Sequence, residues 1–443
     1  MKTRLIFIGT AAAMLASSAA FATNGYFSHG YGMKAKGMAG AATATAEDTF
    51  GGAVNPAKMV WVGNRIDFGA DLFSPRRSSQ RFGSTGTGAG MDTPSVDSDS
   101  NYFIVPEFGY NKMINPNLSL GVTVYGNGGM NTDYPGGQIA AGTACNNFNS
   151  RGAAGAPFNL LCGSGKLGVD LMQLIVAPTA SYKVTPSHSL GISPLLAYQR
   201  FKVDGLQGFV GYTPSNTTNF LTNQGYDSST GWGVRVGWMG KISDSLTLGA
   251  AYSTKMKMGK FDKYKELFAD QGLFDIPANY NLGLAFKATP KVTVAVDYQR
   301  INYGGVSSIA NPSNNFGSTI PSTLGVAGGR GFGWADVNVI KLGVEYEYSQ
   351  NLTLRAGFNH GDNPIQGRDV TFNIIAPGVV QDHLTLGLTH KTRSGGELTL
   401  AYTHAFSKST TGRSLFNDFG VASGSETIKM HQDSLGIAYG WKM

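Results

Sequence analysis

Residues 280–300, YNLGLAFKATPKVTVAVDYQR, contain the pattern that decides the fold of this chain. Two runs of alternating side chains flank a short turn around Pro290. In each run every second residue is large and apolar, as at Val292, Val294 and Val296, and the residues between them are small or polar. A period of two places the two sets on opposite faces of a β-strand. The stretch therefore predicts a β-hairpin with one apolar face and one polar face.

The same arrangement recurs along the chain as a cassette of turn residues followed by an alternating run. It reads INPNLSLGV, TPSHSLGI, SDSLTLGA, TPKVTVAV, SQNLTLRA and SGGELTLA. These cassettes predict tight hairpins, whereas several of the connections between them exceed about twenty residues. Short turns at one end and long loops at the other are typical of outer-membrane β-barrels.

Alternation after residue 64 predicts fourteen strands, an even number, as bacterial single-chain barrels require. An even count also returns both ends of the barrel to the periplasmic side. The predicted strands lie near residues 65–73, 102–113, 117–126, 170–184, 188–203, 230–242, 245–258, 277–288, 291–303, 336–348, 351–360, 382–393, 396–406 and 432–443.

The composition favours a barrel in lipid over a soluble β-protein. Charged residues make up only 14% of the chain, against about 25% in typical soluble proteins. The polar face of the predicted strands nevertheless carries Arg, Lys, Asp and Glu, which would be costly inside a dry core. A wet lumen with lipid outside tolerates both faces. The fold class is therefore predicted to be all-β, a 14-stranded antiparallel transmembrane β-barrel. The net charge of +7 is mild and indicates no nucleic-acid partner.

The first residues predict export. Lys2 and Arg4 precede an apolar stretch at 5–16, and Ala20-Phe21-Ala22 has the form of a cleavage site. These are the three parts of a cleavable signal peptide, residues 1–22, and they send the protein out of the cytoplasm towards the outer membrane.

The two cysteines, Cys145 and Cys162, lie 17 residues apart in a loop rich in Gly, Ala and Asn. An exported protein meets an oxidising compartment, so a disulfide that closes this loop is expected. A metal site would need more Cys or His ligands nearby, and no metal or cofactor is expected.

Residues 23–64 do not alternate and are too few to fold alone, yet they are too apolar for a free tail. A segment of this kind beside a wide barrel is expected to pack inside the lumen as a plug, with one helix near residues 34–46. A periplasmic extension is the alternative. The domain organisation is then signal peptide 1–22, N-terminal hatch 23–64 and transmembrane barrel 65–443.

The N-terminal segment resembles the hatch of the FadL/TodX family of outer-membrane transporters for long-chain fatty acids and other hydrophobic compounds. The matching residues are Gly37-Met38-Ala39-Gly40-Ala41, Glu47-Asp48 and Asn55-Pro56-Ala57. The resemblance implies a monomeric passive channel for a hydrophobic molecule, with Gly37, Gly40, Asn55, Pro56 and Ala57 in a movable hatch. It leaves open whether the ligand is a fatty acid, an alkane or an aromatic hydrocarbon.

In this family the ligand leaves sideways into membrane lipid at a kink in the third strand. The matching residues here are Gly126-Asn127-Gly128-Gly129. Glycine favours bulges and weakens strand pairing, so a wall opening is easiest there. The alternative is an ordinary strand end before a loop.

Parity places Arg235, Lys341 and Arg355 on the lumen face, where a cation could pair with a ligand carboxylate. The alternative is a salt-bridge network that stiffens the barrel. Residues 261–275 have helical periodicity, so Phe261 and Phe268 are expected on an amphipathic loop helix that receives apolar ligands, or else in ordinary loop packing.

A general diffusion porin is the main rival function, since it shares the barrel, the signal peptide and the lumen charges. An enzyme is not expected, because no G-x-S-x-G or H-E-x-x-H motif occurs. Long loops are compatible with an added adhesin or phage-receptor role. The expected partners are a hydrophobic small molecule, outer-membrane lipid and the barrel-assembly machinery.

Overall fold

The computed structural model describes residues 24–149, 155–315 and 324–443. The expected signal peptide, residues 1–22, lies outside the described residues.

Fourteen long strands of the described chain form the barrel, which confirms the predicted fold class and strand count. Each long strand pairs antiparallel with its neighbours in the chain, and the first pairs with the last, so the sheet is closed. The strands are β1 (Arg65–Phe82), β2 (Phe103–Asn115), β3 (Leu118–Tyr134), β4 (Leu167–Lys183), β5 (His188–Asp204), β6 (Asp227–Lys241), β7 (Leu246–Ser253), β8 (Asn279–Thr289), β9 (Val292–Ile301), β10 (Val337–Ser349), β11 (Leu352–Gly361), β12 (Asp382–Lys391), β13 (Gly396–Arg413) and β14 (Ser425–Lys442).

Some strands differ in length from their predicted bounds. β1 was predicted to end at residue 73 but runs through Pro75 to Phe82, and it pairs with a longer β14 over that whole distance. The outward residues of this extension include Ser74 and Arg76, so the apolar alternation stops although the strand continues. β7 is shorter than predicted and ends at Ser253.

The two faces of the barrel have opposite character. Outward-facing apolar side chains are exposed, as at Ile104 (59%) and Leu435 (57%), and they form a surface suited to lipid. Inward-facing polar side chains such as Asp71, Arg235 and Asp297 are buried. None of the helices in the described residues is long and apolar enough to cross a membrane.

Short turns join the strands at one end and long connections join them at the other. The turns are residues 116–117, 184–187, 242–245, 290–291, 350–351 and 392–395, at the end that carries both termini of the barrel. The long connections fold over the opposite mouth, where their apolar side chains share one buried core with the N-terminal segment.

The predicted helix over residues 261–275 is wrong. The structure has a short 3₁₀ turn, Asp262–Tyr264, and a four-residue turn, Ala269–Gly272, in which Asp270 and Gln271 have φ near +60°. The backbone N–H of Phe261 donates to the Gly272 carbonyl at 2.8 Å and folds the segment into a loop. The apolar periodicity reflects loop side chains that are buried in the outer core.

Residues 24–64 lie in the lumen, where they contact inward-facing side chains of strands around the barrel. Their only α-helices in the described residues are Met33–Lys36 and Met59–Val62. The helix predicted near 34–46 is therefore wrong beyond residue 36. Gly40, with φ of +84°, turns the chain there, and its own N–H bonds to the Ala35 carbonyl at 2.8 Å.

Candidate functional site

The Asn55-Pro56-Ala57 motif anchors the N-terminal segment to the barrel wall. The Asn55 side chain accepts from the Ala57 N–H at 3.1 Å and donates to the carbonyls of Thr43 and Trp238, each at 2.9 Å. Asn55 thus caps the 3₁₀ turn Pro56–Lys58, and proline fits the first position because it has no N–H to satisfy. The motif ties two parts of the segment to β6.

Gly37 and Gly40 lie where the segment packs most closely. A Cβ on Gly37 would lie 3.0 Å from the Cα of Gly387 on β12, and one on Gly40 would lie 1.8 Å from the carbonyl oxygen of His29. A side chain is thus excluded at Gly40 and would be tightly restricted at Gly37, which explains the small-residue run of the motif.

The three lumen cations predicted to meet a ligand all contact the N-terminal segment in this structure. Arg235 donates to the Gly52 carbonyl at 2.6 Å, Lys341 donates to the His29 carbonyl at 2.9 Å, and Arg355 pairs with Glu47 at 3.1 Å. Each of the three side chains thus has a protein partner, although the Nε atoms of Arg235 and Arg355 have none within the described residues, and the structure gives these cations a role in seating the segment. This outcome is close to the alternative of an internal polar network.

Phe261 and Phe268 are buried rather than displayed on a surface, being 0% and 3% exposed. Both rings pack against Phe201 of β5. Phe268 also lines an apolar pocket among the outer loops with about 500 Å³ of empty space, part of it open to solvent, whereas Phe261 does not. Burial raises the pKa of the neighbouring Tyr264 to about 12, and its hydroxyl donates to the Gly225 carbonyl at 2.6 Å.

The barrel wall has a gap between β2 and β3. The two strands pair only from Phe108 opposite Val124 towards the turn. Residues 103–107 of β2 pair with β1 but not with β3, and residues 125–134 of β3 pair with β4 but not with β2. We call this unpaired region the wall window.

A bulge at Asn127 lies at the end of the window that is nearest to the turn between β2 and β3. The register between β3 and β4 shifts between Gly126 and Gly128, which leaves Asn127 as the extra residue. Its side chain turns inward and donates to Gln173 of β4 at 3.0 Å. The predicted gate residues 126–129 therefore lie at a real irregularity of the wall.

The N-terminal segment occupies the unpaired edge of β3. Phe27 forms an isolated β-bridge with Gly128, and the Asn127 carbonyl accepts from the Ser28 N–H at 3.3 Å and from the Tyr31 hydroxyl at 3.1 Å. A Cβ on Gly128 would lie 1.9 Å from the Tyr26 carbonyl oxygen. The lumen segment thus contacts the edge that β2 leaves free at Asn127 and Gly128.

A second pocket, with about 300 Å³ of empty space, lies on the lumen side of the window. Its lining includes the unpaired edge of β3, the extension of β1, the N-terminal segment and two outer loops. Three of the lining residues, Tyr26, Arg77 and Trp334, were not predicted from the sequence. Arg77 lies at a position of β1 whose side chain faces the lumen. The alternation would have predicted this orientation if the strand had been extended past Pro75. The sequence carries no signal that brings Tyr26 and Trp334, ring centroids 6.0 Å apart, to the same place.

Cys145 and Cys162 form the expected disulfide, which is buried beside the outer loop core.

A closed barrel with an apolar outer face and a lumen occupied by its own chain has the architecture of an outer-membrane β-barrel protein. The sequence matches the family described as Outer membrane protein transport protein (OMPP1/FadL/TodX) over residues 162–427, more than half of the chain. The chain therefore belongs to this family, which confirms the family predicted from the sequence. No match was found among curated protein sequences.

Solved structures share the fold over nearly the whole chain. The Pseudomonas putida toluene transporter TodX superimposes with a TM-score of 0.67 at 17% identity, covering 94% of this chain and 99% of its own. The Ralstonia pickettii toluene transporter TbuX gives 0.60 at 17% identity, with the same coverage of both chains. A Pseudomonas aeruginosa FadL homologue gives 0.67 at 14% identity, again covering 94% and 99%.

Proposed function

We propose that this protein is a passive outer-membrane channel for hydrophobic molecules, most of all long-chain fatty acids, and that it releases them sideways through the wall window. The ligand enters the apolar pocket among the outer loops, moves to the pocket behind the window and leaves into membrane lipid. The N-terminal segment, residues 24–64, acts as a hatch that closes the lumen and must shift for passage.

The wall window is the observation that carries this proposal. An unpaired stretch of barrel wall would expose backbone polar groups unless something else covered them. Here an apolar cluster of Phe73, Phe103, Val105 and Met172 brings side chains of β1 and β2 against β4 across the unpaired stretch. Apolar walls suit the passage of a hydrophobic molecule, whereas a porin needs no side window.

The hatch contacts at the free edge of β3 link its movement to the window. Displacing residues 26–31 would remove the partners of Asn127 and Gly128, and the loosened edge could then move away from β2. A ligand that displaces the hatch would therefore also open the wall window.

Monoaromatic hydrocarbons are the alternative ligands, because two of the structural relatives are toluene transporters. The first test is displacement of a fluorescent fatty acid from the purified protein in detergent by oleate, toluene and a neutral sugar. We expect saturable displacement by oleate. Displacement by toluene alone would favour the aromatic class. No saturable binding, together with large steady ion conductance, would contradict the proposal and leave a porin.

Deleting Asn127 tests the route through the window. The deletion removes the extra residue at which β3 shifts register against β4. The straightened β3 should then pair further with β2, which would narrow the window. We expect oleate uptake by cells lacking their own transporter to fall by about tenfold or more, while binding in detergent persists. Asn127→Ala is the matched control, because it keeps the bulge and removes only the side-chain hydrogen bonds with Gln173 and Tyr31. Equal uptake by the deletion variant and wild type would rule out this exit.

A further inference from the structure

The pocket behind the wall window contains one cation, Arg77, in an otherwise mostly apolar lining. Arg77 projects inward from β1 and is 4% exposed. The apolar lining comes from the hatch, the wall and two outer loops, and it includes Tyr26, Phe73, Met130, Trp334, Pro377 and Met430. An arginine in this setting is unusual, because burying a charge without a partner is unfavourable.

Other arginines on the same face of β1 have carboxylate partners. Arg65 pairs with Asp67 at 2.8 Å, and the Arg81 Nε donates to Glu426 at 2.9 Å. Arg77 lies between them in the strand and forms no ion pair within the described residues. Among the described residues it donates to the Ser98 hydroxyl, at 3.2 Å, and to the Ser100 carbonyl, and its guanidinium lies 6.0 Å from the centre of the Phe103 ring.

Part of the hydrogen-bonding capacity of Arg77 is unused. Its buried Nε has no hydrogen-bond partner in the described part of the chain. A guanidinium that lines an apolar pocket and has no carboxylate partner is a suitable binding group for a ligand carboxylate. The lumen cations Arg235, Lys341 and Arg355 lack this apolar setting and are engaged by the hatch.

We propose that Arg77 is the residue that selects the ligand class, by binding the carboxylate of an amphipathic monocarboxylic acid at the lumen side of the wall window. The alkyl chain then lies along the apolar wall. The proposal rests on the proposed function and narrows it, since a neutral hydrocarbon would leave the guanidinium buried without a counter-ion. Arg77 therefore favours fatty acids over toluene-like ligands in this protein.

The test compares Arg77→Gln with Arg76→Gln, a neighbour that points outward and donates to the Tyr102 hydroxyl at 2.6 Å. Binding of oleate and of oleyl alcohol, which differ in the charged head group, is measured on the folded barrels in detergent. We expect Arg77→Gln to weaken oleate binding by at least about tenfold and to change oleyl alcohol binding by less than about twofold. Arg76→Gln should change neither, and Arg77→Lys should restore part of the oleate affinity.

Thermal unfolding of the same variants separates ligand selection from a structural role. Because Arg77 has no carboxylate partner, its replacement should lower the unfolding temperature only slightly, through the loss of its hydrogen bonds to Ser98 and Ser100. Unchanged oleate affinity in Arg77→Gln, or equal losses for oleate and oleyl alcohol, would overturn the inference while leaving a hydrophobic channel intact. Failure of wild type to bind any of these ligands saturably would instead overturn the proposed function itself.

Discussion

At the scale of single residues, the charges in the lumen hold the N-terminal segment in place. The Asp297 carboxylate of β9 accepts from the backbone N–H groups of Ala42 and Thr43, each at 2.9 Å, and from the Thr43 hydroxyl at 2.7 Å. A carboxylate has only acceptor sites, so it can accept hydrogen bonds from several backbone N–H groups that have no other partner. This charged lumen residue therefore holds the N-terminal segment of the same chain.

Replacing Asp297 by Ala should loosen the hatch. The change removes three charge-assisted hydrogen bonds, so we expect the docked hatch to lose on the order of 3 kcal/mol, about a hundredfold in its docking equilibrium. The measurement is protease cleavage within residues 41–50 of the purified barrel. Glu347→Ala is the control, since Glu347 shares the lumen parity but is exposed. Equal cleavage of both variants would contradict the role of Asp297.

At the scale of elements, irregularities distinguish this barrel from a plain fourteen-stranded one. β3 bends at one extra residue, and β2 pairs along only part of its length. The outer loops have their own covalent constraint, the Cys145–Cys162 disulfide. Its sulfur atoms lie in the core that also contains Phe209, a residue of the outer apolar pocket.

Removing the disulfide should loosen the loop between β3 and β4. A cross-link that closes a loop of this length contributes about 3 kcal/mol. We expect the double variant Cys145→Ala/Cys162→Ala to be cleaved by protease within residues 135–166 under conditions where wild type resists. The barrel strands should stay folded, which heat-modifiable gel migration reports. Wild type treated with reductant is the matched comparison, and full protection of the variant would show that packing alone fixes the loop.

At the scale of the whole molecule, the lumen is filled by the chain itself. Lumen-facing glycines let the segment approach the wall, since a Cβ on Gly237 would lie 2.0 Å from the Asn55 side-chain oxygen. The high glycine content of the sequence thus has a second cause besides turns.

Deleting residues 24–62 should open the lumen to ions. We expect low conductance from the intact protein in planar bilayers and a large, steady conductance from the deletion variant, because the exposed lumen charges attract water and ions. The Asn55→Ala variant should be intermediate, since it keeps the segment but loses its anchor to β6. No rise after the deletion would show that the outer loops close the mouth alone, and would contradict the plug role.

The sequence by itself determined the strand number, the antiparallel barrel and the assignment of faces, because these depend on local periodicity. It also determined the disulfide, through loop spacing and compartment. Local patterns failed where contacts with distant residues decide the conformation. Residues 261–275 have helical spacing but fold as a loop around Gly272. Strand β1 continues beyond its apolar alternation because it pairs with β14. Only the tertiary structure decided that the lumen cations contact the hatch, that the wall is unpaired between β2 and β3, and that Arg77 faces an apolar pocket. These features depend on residues far apart in the chain, which closure of the barrel brings together.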